Sequence, residues 1–219
     1  MQSLRCSNIR MQSICLINLK ARLIWGNMVR ISSGRLKGRK IATSKKIFTS
    51  SGGDDLRPTS AKVREAVFDI LRAETAHAFF LDLYAGTGAV GLEALSRGAE
   101  KVFFIEDNPV RARALIDYIR KMNLGDRAVV YQEKAEAFLQ RAVKTGMKFD
   151  ILFADPPYAS DEIERVLPSV GHCDILKDSG CVLVEHSSRK ILPDHMQNIK
   201  RMKNYKYGDT MLTLYRKEQ

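Results

Sequence analysis

Short apolar runs alternate with helical patterns through the middle of the chain, and this alternation restricts the fold more than any other feature of the sequence. The apolar runs predict strands and the amphipathic stretches between them predict helices, in the order Phe79–Leu83, Ala89–Arg97, Val102–Glu106, Val110–Met122, Ala128–Gln132, Ala135–Val143 and Phe149–Ala154. Repeated strand–helix units are typical of a parallel sheet that is covered by helices on both faces. The sequence therefore predicts an α/β, doubly wound fold.

The segments on either side of this alternation extend the predicted domain. An amphipathic helix over Thr59–Ala73 precedes the first strand. Downstream, Cys181–His186 is typical of a buried strand, and Ile199–Tyr205 with Met211–Tyr215 predict a closing antiparallel hairpin. Residues 187–198 favour neither a helix nor a strand.

The excess of basic residues is confined to the N-terminal quarter of the chain. The net charge is +11, yet residues 1–53 contain eleven Lys or Arg and no acidic residue, which leaves 25 basic residues to balance all 25 acidic ones. A block of one sign is typical of an arm that contacts a polyanion such as nucleic acid. A solubilising or targeting tail is the alternative explanation.

The basic region divides into two parts. Residues 1–27 superficially resemble an organellar transit peptide, but we interpret them as an extension outside the core, with Met28 as the natural start. Residues 28–53 predict a basic β-hairpin arm suited to nucleic acid, with Gly34 and Gly38 as turn residues. Residues 54–219 then form the main domain.

The composition excludes several classes of protein. No apolar run reaches the roughly 18 residues of a membrane span, because Lys20 and Arg22 interrupt the most apolar N-terminal stretch. The four cysteines are not spaced as metal ligands, either from one another or from a histidine; they are Cys6, Cys15, Cys173 and Cys181. We therefore expect a cytoplasmic monomer that has reduced thiols and neither a metal nor a membrane partner.

A glycine-rich loop follows the first predicted strand. Its pattern is Gly86-x-Gly88-x-x-Gly91, and Glu106 ends the next predicted strand twenty residues after Gly86, where a carboxylate would hold ribose hydroxyls. The pattern serves both dinucleotides and S-adenosylmethionine. Asp82 favours the second, because a carboxylate repels a pyrophosphate but accepts hydrogen bonds from the ammonium group of a methionine. A nicotinamide-dependent oxidoreductase and a turn without a ligand stay open as alternatives.

The segment Asp155-Pro156-Pro157-Tyr158 directly follows the predicted strand Phe149–Ala154. In an α/β sheet this position lies at the carboxyl edge, beside the glycine loop. The two prolines remove N–H donors, so the Asp155 carboxylate and the local carbonyls present acceptors suited to an exocyclic amine. Tyr158 is placed to stack on a planar base. A proline-stiffened loop without a binding role is the alternative.

Longer stretches of the sequence resemble a known family. Two stretches resemble class I methyltransferases that modify exocyclic amines, namely LDLYAGTGAVGLEALSRGA and FDILFADPPY. Three others narrow the resemblance to one family within this class: MVRISSGRLKGRKI, LRPTSAKVREAVFDIL and YGDTMLTLYR. It points to the bacterial 16S rRNA methyltransferases that act on N2 of guanine 966 in the small subunit. The resemblance runs from Met28 to about Arg216. It implies a seven-stranded, Rossmann-like methyltransferase domain that uses S-adenosylmethionine during assembly of the 30S subunit.

The resemblance also implies roles for individual residues. The cofactor would be held by Asp82, Tyr84, Ala85, Gly86, Gly88, Glu106, Glu133, Ala135 and Asp155, and the target base by Asp155, Pro156, Pro157 and Tyr158 as the catalytic segment. The family usually has an Asp where this chain has Lys134, so we expect Glu133 or backbone groups to meet the adenine. The basic residues expected to bind RNA are Arg35, Lys37, Arg39, Lys40 and Arg57. A non-catalytic RNA-binding assembly factor on the same fold is the alternative function.

Overall fold

The computed structural model describes residues 29–41, 60–157 and 161–218. Within them, one sheet contains the strands β3 (Phe79–Asp82), β4 (Lys101–Ile105), β5 (Ala128–Tyr131), β6 (Phe149–Ala154), β7 (Leu176–Ser187), β8 (His195–Met196), β9 (Ile199–Tyr207) and β10 (Thr210–Lys217). Their order across the sheet is β5-β4-β3-β6-β7-β10-β9-β8. The first five in this order are parallel, whereas β10, β9 and β8 join them in antiparallel pairs.

Among the described residues, five helices cover the two faces of this sheet, at α1 (Ala61–Ile70), α2 (Ala89–Ser96), α3 (Pro109–Lys121), α4 (Ala135–Lys144) and α5 (Glu162–His172). Successive strand residues face opposite sides, so Phe80 joins a core that includes α1, α2 and α3, whereas Leu81 joins a core that includes α4 and α5. None of these helices, within the described ranges, has the length and apolar character that a membrane span would need. The doubly wound α/β prediction is confirmed.

The sheet has one strand more than the seven expected. The additional strand is β8, which lies in residues 187–198, where the sequence favoured neither a helix nor a strand. It is two residues long and pairs only with the start of β9. The seven longer strands account for the rest of the sheet, so the predicted Rossmann-like arrangement holds with a short additional edge strand.

Capping residues set the starts of two helices close to the expected positions. Ser60 caps α1 by accepting a hydrogen bond from the backbone N–H of Val63 at 3.2 Å. The side chain of Asn108 accepts from the N–H groups of the next turn at 3.0 and 3.2 Å, and Pro109 occupies the first position of α3. Both starts follow from residues that satisfy N–H groups that the helix itself leaves without acceptors.

The N-terminal segment forms the predicted antiparallel pair, with β1 (Val29–Arg30) facing β2 (Lys40–Ile41). It packs on α2 through the buried Glu93, whose carboxylate accepts from the N–H of Ser32 at 2.7 Å and from the N–H of Ser33 at 2.9 Å. Arg35 N–H donates to the Ser96 carbonyl at 2.8 Å. Residues 29–41 are therefore fixed to the core. The proposed domain boundaries near residues 27 and 53 lie outside the described residues and stay predictions.

Candidate active site

The glycine loop joins β3 to α2, and the local geometry explains why glycine occupies each of its three positions. Gly86 and Gly88 have positive φ values of 53° and 74°, a backbone conformation that favours glycine. A Cβ on Gly91 would lie 2.2 Å from Cε1 of Phe104, so this glycine lets α2 pack closely on β4. The sequence pattern therefore corresponds to a tight loop that ends in the first turn of a helix.

Two hydrogen bonds hold this loop across the carboxyl ends of the neighbouring strands. Leu83 N–H donates to the Phe153 carbonyl of β6 at 2.9 Å, and Ala85 N–H donates to the Ile105 carbonyl of β4 at 2.9 Å. The strand order reverses its direction of growth at β3, between β4 and β6. In open α/β sheets, ligands bind in the crevice at such a switch point.

Asp82 lies at the end of β3, beneath the glycine loop. Its side chain is buried, and Oδ2 accepts a hydrogen bond from Gly91 N–H at 3.0 Å. Burial raises the pKa of Asp82 from 3.8 to about 7, the Gly91 hydrogen bond opposes this rise, and the Glu106 charge adds to it. The carboxylate thus anchors the start of α2, and its expected contact with the ammonium group of the cofactor stays a prediction.

Glu106 connects the end of β4 to the glycine loop. Its Oε2 accepts from Gly86 N–H at 2.7 Å, and its Oε1 accepts from Asn108 N–H at 2.9 Å. Burial raises the pKa of Glu106, although these N–H groups and the nearby Arg111 guanidinium oppose the rise. A carboxylate oxygen can accept two hydrogen bonds, so Oε1 and Oε2 of Glu106 retain acceptor capacity for ribose hydroxyls.

The other residues expected near the cofactor occupy the same edge. Ala85 is buried in the loop, and burial together with the nearby Glu162 carboxylate raises the pKa of Tyr84. Glu133 follows β5, and its Oε1 accepts a hydrogen bond from Arg141. The predicted adenine acceptor is therefore already in an ion pair.

The start of α4 completes this part of the edge. Lys134 occupies the N-cap position of α4 without a capping hydrogen bond from its side chain. Ala135, the first residue of the helix, is buried. Backbone groups at this helix start are the remaining candidates for contact with the adenine.

The predicted catalytic segment begins where β6 ends. Asp155 is half-buried, Pro156 is buried and Pro157 is exposed, whereas Tyr158 lies outside the described residues. The structure brings this segment beside the glycine loop, because β3 and β6 pair in parallel with Asp82 opposite Phe153.

Glu185, which no sequence motif singled out, lies at the same edge of the sheet. Ala154 pairs in parallel with Val184, so the next residues along the two strands, Asp155 and Glu185, are neighbours at the carboxyl edge. The side chain of Glu185 is buried at the carboxyl end of β7. A charged residue directly after the apolar run Cys181–Val184 was the available signal.

The residues expected to bind RNA lie elsewhere. Arg35 contacts Ser96, the last residue of α2, whereas α2 begins at the glycine loop. An eight-residue helix is about 12 Å long, so Arg35 lies toward the amino edge of the sheet, opposite the crevice. Arg39 donates to Sδ of Met122, just after α3, at the same edge.

The remaining basic residues do not change this placement. Lys37 and Lys40 are exposed, and Arg57 lies outside the described residues. A cavity of about 630 Å³ also opens at this edge, and its lining includes Arg35, Arg72 and Arg97. Arg35 and Arg39 are therefore separated from the Asp155-Pro156-Pro157 segment by about the length of α2.

Comparisons with known proteins agree with this geometry. A family model described as Conserved hypothetical protein 95 matches residues 29–216. Ribosomal RNA small subunit methyltransferase D of Escherichia coli (strain K12) is 32% identical over 190 residues, which cover 87% of this chain and 90% of that protein.

Two solved structures are also similar. The structure of yhhF from Escherichia coli has a TM-score of 0.73 and 30% identity, and the match covers 88% of this chain and 99% of that one. The S-adenosylmethionine-dependent methyltransferase NGO1261 from Neisseria gonorrhoeae has a TM-score of 0.52 and 25% identity, over 69% of this chain and 70% of that one. Because the family model and these relatives span most of its length, the chain belongs to the family described as Conserved hypothetical protein 95, together with relatives named ribosomal RNA small subunit methyltransferase D.

Proposed function

We propose that this protein transfers a methyl group from S-adenosylmethionine to the exocyclic N2 of a guanine in 16S rRNA, while the 30S subunit is being assembled. The observation that carries the proposal is the meeting of two motifs at one crevice, the glycine loop of β3 and the Asp155-Pro156-Pro157 segment of β6. The name of the Escherichia coli relative supports rRNA as the substrate. With such a substrate, we expect the protein to act in the cytoplasm as a monomer.

The residues at the glycine loop fit the cofactor. Gly88 has a φ of 74°, and a Cβ on it would lie 2.5 Å from Cδ1 of Leu115, so glycine keeps this loop tight and packed against α3. Asp82 and Glu106 supply the carboxylates for an ammonium group and a ribose, on either side of this loop. We therefore assign the methionine end of the cofactor to Asp82 and its ribose to Glu106.

The chemistry requires an activated amine, because the lone pair of guanine N2 is delocalised into the ring. S-adenosylmethionine supplies the methyl group in an activated form. The Asp155 carboxylate and a carbonyl of the Pro156-Pro157 segment accept the two amine hydrogens, which localises the lone pair and orients it. Once N2 has accepted the methyl group it is acidic, and it loses one proton to Asp155 or to water. A dedicated base of high pKa is therefore unnecessary.

The target base has to leave its stack to enter the crevice. Extrusion is easiest for an unpaired nucleotide in a loop of the RNA. We assign Tyr158, which lies outside the described residues, to stack on the extruded guanine. Basic residues elsewhere on the surface would hold the RNA through its phosphates.

A methylation assay tests the proposal. The full-length protein is incubated with labelled S-adenosylmethionine and with small subunits that lack the modification, and the nucleosides are then analysed. Label in N2-methylguanosine supports the proposal. Asp155→Ala serves as the control for contaminating enzymes and should show little label, while its affinity for S-adenosylhomocysteine stays near that of the wild type.

Two other results would contradict the proposal in different ways. Binding of small subunits and of S-adenosylhomocysteine without any label in the RNA would favour a non-catalytic assembly factor. Calorimetry that shows tight binding of NAD and none of S-adenosylhomocysteine would favour the oxidoreductase.

A further inference from the structure

Strand β9 carries basic and aromatic side chains on an exposed surface. Its sequence is IKRMKNYKY, in which Lys200, Lys203 and Lys206 are exposed, Tyr205 is half-buried and Tyr207 is 39% exposed. No acidic residue lies between Asp194 and Asp209 in the sequence. The strand therefore presents a positive surface that is interleaved with aromatic rings.

Most of β9 forms an open edge of the sheet, within the part of the chain that the structure describes. Strand β8 pairs only with the first two residues of β9, whereas β10 pairs with β9 along its whole length on the other side. The ammonium groups of Lys200, Lys203 and Lys206 form no ion pair and no hydrogen bond with any described residue. Lys203 Nζ lies 5.0 Å from the centre of the Tyr205 ring.

The sheet register places one end of β9 on the same edge as the catalytic segment. Tyr207 pairs with Thr210, and Thr210 pairs with Ser187 at the carboxyl end of β7. β7 lies beside β6, which ends at Ala154, directly before Asp155. Three strand spacings separate β6 from β9, or about 14 Å. The Tyr207 end of β9 therefore lies on the same edge of the sheet as the crevice, whereas the hairpin that contains Arg35 lies toward the opposite edge.

Lys203, Tyr205 and Tyr207 point to one face of the sheet. They pair with Leu214, Leu212 and Thr210 in turn, and both leucines belong to the core that includes α1 and α2. Alternate residues of a strand share a face, so these three side chains form one row that leads to the carboxyl edge.

We propose that this row, Lys203, Tyr205 and Tyr207, is a docking surface for the substrate RNA next to the target nucleotide. The inference rests on the proposed function and names the part of the surface that holds the RNA at the catalytic edge. Free ammonium groups bind phosphates, and a tyrosine ring stacks on an unpaired base. Lysines on an edge strand also prevent sheets from joining edge to edge, but that role does not require tyrosines at the catalytic end.

Steady-state methylation of small subunits by single variants tests the docking surface. We expect Lys203→Glu to raise KM for the subunit about tenfold and to reduce the salt dependence of binding by about one counterion. Tyr207→Ala should raise KM by about five-fold or more, whereas Tyr207→Phe should keep most of the affinity because the ring is retained. The kcat and the affinity for S-adenosylhomocysteine should stay near the wild-type values.

Lys144→Glu is the matched control. Lys144 is an exposed residue at the end of α4, at the amino edge of the sheet, and its substitution changes the net charge by the same amount. Equal KM values for Lys203→Glu and Lys144→Glu would overturn the docking surface. Self-association of Lys203→Glu with an unchanged KM would also overturn it and would assign the lysine to protection of the sheet edge.

The wild-type protein separates this proposal from the proposed function. Wild-type methylation with unchanged KM values in the variants rejects only the docking surface. Absence of wild-type methylation rejects the proposed function, and direct binding of fluorescent 16S rRNA by the same variants then decides the docking surface.

Discussion

Replacing Asp82 with Asn should make the stability of the protein less dependent on pH. The buried Asp82 carboxyl has its pKa raised from 3.8 to about 7, so between these values the folded state holds a proton that the unfolded state releases. The resulting stabilisation is complete below about pH 4 and is lost as the pH rises through 7. At 1.36 kcal/mol per pKa unit, the stabilisation from the raised pKa of Asp82 amounts to about 4 kcal/mol. About 3 kcal/mol of this is lost between pH 5 and pH 9.

Asparagine keeps an acceptor oxygen for Gly91 N–H but has no proton to lose in this range. Urea denaturation without cofactor should therefore show that the wild type loses about 3 kcal/mol more stability than Asp82→Asn between pH 5 and pH 9. Asp126→Asn, at an exposed carboxylate, is the control for the loss of one negative charge. Equal pH dependence of the free energy of unfolding in the wild type and Asp82→Asn would refute the reasoning.

Three further substitutions test the crevice. Gly91→Ala places a Cβ 2.2 Å from Phe104 and should lower the free energy of unfolding by about 1–3 kcal/mol. Gly125→Ala is the control, because the added Cβ there meets no atom within 4 Å. Equal losses of stability in the two variants would contradict the packing argument. Glu106→Gln replaces one acceptor oxygen with an N–H₂ donor, so calorimetry should show weaker binding of S-adenosylhomocysteine, and unchanged affinity would remove Glu106 from the ribose site. Asp155→Ala should lower kcat far more than cofactor affinity, and full turnover would remove it from the mechanism.

Features that depend on neighbours in the chain could be predicted from the sequence. The strand–helix alternation gave the central strands to within about one residue at each end, because burial on both faces makes such strands continuously apolar. Asn108 and Pro109 marked the start of α3, since capping needs only N–H groups of the following turn. The glycine spacing indicated the loop for the same reason, although the interaction between Gly91 and Phe104 became clear only in the fold.

Features that depend on distant partners could not be predicted. Glu93 lies in the middle of an apolar helix, and nothing near it in the sequence indicates that its carboxylate binds Ser32 and Ser33. For this reason the hairpin was predicted as an arm, and its position opposite the crevice was missed. The basic strand β9 was predicted only as part of a hairpin, because its location at the catalytic edge follows from pairings that involve β7 and β10.

The attachment of the hairpin to Glu93 has a consequence for the order of events during synthesis. Ser32 leaves the ribosome 61 residues before Glu93, so the hairpin cannot dock until α1 and most of the first strand–helix unit, β3 and α2, have emerged. Domains usually begin to fold from the N-terminus, yet here the N-terminal segment has to wait for a later helix. We expect its docking to be among the late steps of folding, because closing a loop of this length carries an entropic cost before any contact forms. Until then, the Glu93 carboxylate lacks the Ser32 and Ser33 donors, and the nascent chain exposes its most basic segment beside the ribosome.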